Sequence, residues 1–458
     1  MSTQRFMLLL AVLMALALPF SLSLSYVPLT LALLVSLIVV LRKEARYPRD
    51  FLLVLLLYVW RAITLMKNGL PLRPLKDLYD KLPYPIFSTL RIGEAGFNVV
   101  LGSLAIGSSV VATLGILAYF TGSFRTGWVY TSCRGECELL VRRPTEVRAV
   151  VLTDRNRNRF LNGPELSYDA PARVGPGRYV FYSFAGAIVK VRKGDVSLLK
   201  GWVGYYEERR FFNFTSFVGF YDHKMHSGAV FGMLVILFLS LGLFYRRIYL
   251  LPVLLLLPAL ILTEAKAYIL TALLISAGML YARVGLIRLF PYTLLWVGVV
   301  GPTILLHSPL RPGFLWSLKA RENFWRIGAE ALPSNALFGV GYDNISAILR
   351  PHYLAGEIDN TAHLHSSYLN AAVETGVVGA LLVVLVLLYF SWKFLKEARG
   401  GEGYAKAYAL GVGLSVLLVG LVGLVESNFD TAVLNLTLTF LMGVGEAVVR
   451  GRVIQNPG

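Results

Sequence analysis

The chain has 458 residues, 56% hydrophobic and 16% charged, with a positive mean hydropathy. A soluble domain of that length carries nearer a quarter charged residues, so the composition points to a membrane protein. The net charge of +17 reads as membrane orientation and contact with lipid headgroups. No basic soluble segment with interleaved aromatics is present, and no nucleic acid is expected as a partner.

The apolar residues fall in blocks about 20 long, the length that crosses a hydrocarbon core of about 30 Å. In chain order, spans are expected at 6–23, 25–42, 51–67 and 97–121. Four more follow at 227–245, 248–264, 266–283 and 286–306, and three at 371–392, 405–424 and 429–448. No small-residue cleavage site separates the first two, so a cleavable signal peptide is not expected. Residues 122–226 and 307–370 are long polar interruptions. In lipid every backbone polar group must be paired internally, so both are expected outside the hydrocarbon or buried in protein.

Orientation comes from the short loops. Arg246 and Arg247, Arg283 and Arg288, Lys393, Lys396 and Arg399, and Arg450 and Arg452 are placed in the cytoplasm by the positive-inside rule. The segments 122–226 and 307–370 are then outside, with residues 425–430, which carry Glu426 and Asp430. The loop Arg42–Arg49 also reads as cytoplasmic, so parity calls for one more crossing between 68 and 96. Pro83–Ile92 is the candidate for a short or re-entrant piece, although it contains Pro85 and Arg91. The count is 11 or 12, with 12 favoured. The expected location is the cytoplasmic (inner) membrane, with the polar loops facing the periplasm or cell exterior.

Five regions follow: spans in 1–121, an insertion at 122–226, spans in 227–306, a polar loop at 307–370, and spans with a short tail in 371–458. Within the insertion, about 126–200 reads as a small β domain of the sandwich type. Its alternating runs include Glu146–Val151, Tyr179–Phe184 and Ala187–Val191, with a turn at Gly175-Pro176-Gly177. Asp154, Asn156, Asn158, Asn162 and Glu165 fall at positions 1, 3, 5, 9 and 12 of a loop, the oxygen-ligand spacing of calcium sites. Arg159 stands at the sixth position, where such loops carry Gly, and Arg155, Arg157 and Arg159 compete with a cation. The choice is between structural calcium and a solvated turn. Cys133 and Cys137 are two thiols where structural zinc wants four ligands, so a disulfide or a free pair is expected. Glutamine is nearly absent, with only Gln4 and Gln455, which suits a thermophile.

The second polar loop carries Arg321-Glu-Asn-Phe-Trp325, Leu337-Phe-Gly-Val-Gly341, His363, His365-Ser-Ser-Tyr-Leu369 and Glu374-Thr-Gly376, followed by Gly379. Arg holds phosphate oxygens bidentately and keeps its charge at any working pH. His takes a proton from an attacking hydroxyl near neutral pH. The bland alternative for each is an ordinary solvated loop residue. Upstream, Thr263-Glu264-Ala265-Lys266 interrupts an apolar run, which is costly unless it meets an interface or a polar cavity. It places Lys266 at the level of the Arg321 and His365 loop; the alternative is a local Glu–Lys pair in an interfacial turn.

In this order the motifs resemble the O-antigen ligase and O-antigen polymerase superfamily, over roughly residues 210–450. The resemblance implies an all-α, GT-C-like polytopic membrane fold, here with the inserted β-sandwich as an uncommon addition. It implies a glycosyltransferase that uses a polyprenyl-pyrophosphate-linked glycan donor and a glycan or glycolipid acceptor at the lipid bilayer. It assigns His365 to the acceptor hydroxyl and Arg321 to the pyrophosphate, with Tyr368 and Glu374 as supporting residues. Lys266 stands where the family usually has Arg, and Ala265 where it has Ser, which keeps the charge but loses the bidentate fork. No cofactor is implied for catalysis. The alternative is a transporter or flippase of lipid-linked glycans, which would show charges near mid-span and inverted repeats.

Overall fold

The apolar blocks fold as helices because a helix pairs its own backbone within one segment. In a computed structural model of the chain, the backbone is described for residues 2–121, 224–263, 265–295, 298, 311–355, 357–358 and 363–455, and for the strands between 125 and 217. The first helices are α1 (Thr3–Ala17), α2 (Leu22–Leu41), α3 (Phe51–Lys67), α4 (Pro83–Phe87) and α5 (Glu94–Thr121). After the insertion come α6 (Lys224–Phe244), α7 (Leu250–Leu262), α8 (Lys266–Arg283) and α9 (Phe290–Leu295). The last five are α10 (Arg311–Ala331), α11 (Ser346–Leu354), α12 (Ser367–Gly400), α13 (Gly403–Val422) and α14 (Ala432–Gln455).

Six stretches among the described residues are long and apolar enough to cross a membrane: Leu22–Leu41, Glu94–Leu117, Met225–Phe244, Ser367–Gly400, Gly403–Val422 and Ala432–Gly451. The chain is a multi-pass membrane protein. α1 and α7 are shorter apolar helices. The spans divide by burial: 89% of the α6 and α14 windows is buried in the protein, against 39% for α2 and α12. α6, α13 and α14 therefore form the centre. α12 turns Leu381, Leu385 and Leu388 outward as an apolar face, the surface that lipid rather than water would cover.

The basic loop residues gather at one end of the bundle. Lys393 on α12 pairs with Asp50 and lies 2.5 Å from Glu446 on α14. Arg450 bonds Glu446 at 2.9 Å and the Arg46 carbonyl at 2.7 Å. Arg246 bonds Glu94, and the Tyr245 ring meets Tyr404 at the start of α13. Arg283 donates to the Leu243 carbonyl beside them.

The segment 68–96, where parity calls for one more crossing, holds no helix long enough to span a membrane. Residues 73–92 begin at the opposite end, where Asp77 meets Tyr342, and finish at the basic end. There Tyr84 donates to Asp50 at 2.7 Å and Arg91 bonds the Glu44 carbonyl. The piece is a 3-10 helix, Arg73–Lys81, followed by the five-residue α4. At about 1.5 Å per residue, α4 alone covers about 8 Å, far short of a bilayer. Broken backbone at this depth is tolerable because it is sheathed in protein. Residues 83–90 are buried, and the Phe87 ring packs edge-on against Phe440 of α14.

In the insertion, the described residues include ten strands, β1–β10, between Arg125 and Phe217. They pair in two sheets, one ordered β10-β1-β6-β3-β4 with β8 also on β1, the other β5-β2-β7-β9. All the pairings are antiparallel. Cys133 ends β1 and Cys137 opens β2. How the sheets pack on one another, and the calcium-loop residues Asp154, Asn156, Asn158 and Asn162, lie outside the described residues; Glu165 opens β4.

Candidate active site

Three segments distant in sequence meet at the end of the bundle opposite the basic one. α10 brings Arg321. The residues just before α12 bring His365. The turn between α13 and α14 brings Glu426, on which both converge. Arg321 Nη2 bonds Glu426 Oε1 at 2.6 Å, and its Nε donates to the Val425 carbonyl at 3.3 Å. His365 Nδ1 stands 3.7 Å from the other carboxylate oxygen, Oε2, one short step beyond a direct hydrogen bond. That nitrogen is buried and has no hydrogen-bond partner.

Glu426 keeps 15% of its side chain exposed, Arg321 23% and His365 28%, so the trio forms a half-buried rim rather than a solvated loop. Burial would raise the Glu426 carboxyl, but His365 and the Arg321 guanidinium hold it below the ordinary carboxylate range. The imidazole is fixed from several sides. Its ring packs against Phe324, one turn along from Arg321, at 5.3 Å, and edge-on to His363 at 4.4 Å. The His365 backbone sits at φ +53°, a left-handed conformation that an ordinary residue adopts only when its surroundings impose it.

Lys266 opens α8, is exposed, and comes to the same end of the bundle. Two residues on, the Tyr268 hydroxyl accepts a bond from Asn428 at 3.0 Å. Asn428 also receives the Ser367 hydroxyl at 2.8 Å. The Glu426 turn is thereby tied to the α8 start and to the first residue of α12. Glu264 lies outside the described residues.

The glycine motifs are a backbone lock. α12 kinks at Gly376, with φ 72° and ψ 176°. Residues 336–341 lie in that kink: Val340 and Gly341 donate to the Val373 and Glu374 carbonyls at 2.9 Å, and Val377 donates to the Ala336 carbonyl at 2.8 Å. A Cβ on Gly376 would stand 2.0 Å from the Leu337 carbonyl oxygen, and one on Gly339 2.3 Å from the Glu374 carbonyl carbon. Neither backbone can yield without opening the loop. Gly376→Ala is expected to lower stability by at least about 1–3 kcal/mol, the cost of strained backbone alone; an unchanged Tm in a detergent melt would contradict the lock.

The supporting residues of the sequence reading sit in this frame. Glu374 Oε1 accepts from the Ile345 backbone at 3.3 Å, at the start of α11. Tyr368 donates to the Gly420 carbonyl at 2.8 Å and stacks edge-on with Phe429, which holds α12 to α13.

A second cluster escaped the sequence reading. Arg61 on α3, 4% exposed, bonds Asp430 at 2.9 Å. Its guanidinium lies 3.9 Å from the centre of the Tyr342 ring. The Tyr342 hydroxyl is 3.0 Å from Asp430 and 3.2 Å from Asp77. The signal was available: a lone arginine inside the apolar run 51–67 is costly in a membrane and so needs a partner. One turn, residues 426–430, thus serves both clusters, with Glu426 at one end and Asp430 at the other. Set against known proteins, the chain matches no family model and no curated protein.

Proposed function

We propose that the protein is a membrane glycosyltransferase that moves a glycan from a polyprenyl-pyrophosphate donor to an acceptor hydroxyl. The observation that supports this most is the convergence of Arg321 and His365 on the single carboxylate of Glu426. In this reading Glu426 closes the 3.7 Å gap to Nδ1 of His365 when substrate binds and then fixes the tautomer, which leaves Nε2 basic and open to the acceptor. The acceptor oxygen bonds the anomeric carbon as the bond to the pyrophosphate oxygen breaks. Its proton passes to His365, and the electron pair leaves on the pyrophosphate. Arg321 and Lys266 supply the positive charge that stabilises the leaving group, without a metal.

The same reading places this end of the bundle toward the periplasm or cell exterior of the inner membrane, with the Lys393 and Arg450 end in the cytoplasm. It counts eleven helical spans and the broken crossing at 73–92 as the twelfth. It also keeps the sandwich reading of the insertion, with the 154–165 loop open between structural calcium and a solvated turn.

The test is transfer by the purified protein given donor and candidate acceptors, in the presence of a chelator. Wild-type activity in both His365→Ala and Arg321→Ala would remove the reading. A product ladder would indicate a polymerase and a single addition a ligase. Movement of intact donor across proteoliposomes with no sugar transferred would favour the flippase. Glu426→Gln, which keeps the shape but not the charge, is expected to lower transfer about 10–100-fold, as loss of an orienting partner does.

A further inference from the structure

Beneath Arg61 lies a cavity of about 90 Å³, open on one side. It is lined by α3, α12, α13 and α14 and by the 73–92 segment. Its walls are apolar, from Val54 and Leu57 on α3, Val383 and Leu387 on α12, and Leu438 and Met442 on α14. Between Leu434 and Met442 it runs about 12 Å along the bundle at the helical rise.

Its polar lining is dominated by donors. Arg61 spends one nitrogen, Nη2, on Asp430, while its Nε and Nη1 are buried with no partner among the described residues. The Tyr58 hydroxyl, on a residue 4% exposed, is also buried and unpartnered. Lys81 lines the same space and bonds one carbonyl, that of Phe429, at 3.3 Å. Asn435 and Thr439 are taken up, donating to the Phe429 and Asp80 carbonyls. Among the described residues, no carboxylate lines the cavity. Asp430 and Asp77 sit behind Arg61, engaged by Tyr342, and Asp80 accepts from Tyr26 at 2.7 Å. Three unmet donors inside a membrane bundle carry a large desolvation cost unless an acceptor reaches them.

We propose that this cavity binds an amphiphile with a phosphate head, held by Arg61, Lys81 and Tyr58, and an apolar chain laid toward Met442. A phosphate fits because it offers only acceptors to a set of donors, and Arg holds it through two nitrogens. The site is separate from the Arg321, Glu426 and His365 rim and stands whether or not that rim transfers glycans. Two sources share the chemistry, a polyprenyl phosphate and a bilayer phospholipid.

The test uses the full chain in phosphate-free maltoside micelles, with geranyl phosphate and geraniol as probes. Geranyl phosphate is expected to bind at least tenfold tighter than geraniol. Tyr58→Phe keeps the ring and removes one donor to a charged group, which is expected to weaken binding about tenfold. Leu438→Phe fills the apolar end and is expected to do the same. Arg61→Met is expected to abolish binding, but it also strands Asp430, so the first two variants carry the test. His365→Ala is expected to bind the probe like wild type and thus separates this site from the transferase reading. Native mass spectrometry of the protein as extracted names the source, because a polyprenyl phosphate and a phospholipid differ in mass. Equal binding of the two probes, or unchanged affinity in both Tyr58→Phe and Leu438→Phe, overturns the proposal. So does an extracted protein that carries no phosphate amphiphile and binds no probe.

Discussion

Replacing His365 with alanine is expected to lower glycosyl transfer by about 10²–10⁴-fold, the usual weight of a positioned general base. The fall should appear in kcat with the Tm unchanged, because the imidazole is 28% exposed and its Nδ1 makes no direct hydrogen bond. A loss confined to KM would show that His365 binds substrate rather than moving a proton. The Glu426 tie adds a pH signature. Its folded carboxyl lies below the ordinary value of 4.5, so its stabilising effect is fully present above that value. It is lost as pH falls through the lower folded value. The Tm gap between wild type and Glu426→Gln should therefore stay constant from about pH 8 to about pH 5 and close only below that. A gap that already closes near neutral pH would contradict the Arg321–Glu426 pairing.

Replacing Asp430 with alanine is the second large effect. It leaves the Arg61 guanidinium, 4% exposed, without its counter-ion. Breaking one side of a buried pair costs about 3–5 kcal/mol because the remaining charge stays desolvated. Asp430 itself is 41% exposed, so its own desolvation is partial and the lower end, about 3 kcal/mol, is expected. Unfolding in denaturant, monitored by the near-ultraviolet signal of Tyr342 and its neighbours, measures it. Arg61→Leu combined with Asp430→Leu removes both charges and should recover most of the loss. If the double variant is as unstable as the single one, packing at these positions matters more than charge.

The apolar helices were legible because length and hydropathy are local properties, and six of the expected spans are long and apolar enough to cross a membrane among the described residues. The expected run 51–67 is α3, and 266–283 is α8, residue for residue. Parity under the positive-inside reading pointed to a missing crossing between 68 and 96, with Pro83–Ile92 as a short or re-entrant candidate; its packing was not legible. Lipid-exposed backbone must be a helix, but a segment wrapped by other helices need not be, and only the packed neighbours show that 73–92 is wrapped. The sequence also marked Gly339, Gly341 and Gly376 as turn residues. It could not say that they meet one another, because the 336–341 loop and the α12 kink are far apart along the chain.

The polar loop around Arg321 and His365 was the feature most worth following in the sequence, and its residue types already limited its chemistry to a cation and a base. Their charge and basicity belong to the side chains and need no fold. What tertiary structure alone decided is the partner: Glu426, read from sequence only as an acidic mark on a short turn, joins Arg321 from 105 residues farther along the chain and His365 from about 60. The same turn carries Asp430 to Arg61 and so sets the charged roof of the cavity beneath. Such pairings cannot be read locally, because a carboxylate takes its role from the cations that packing brings within a few ångströms.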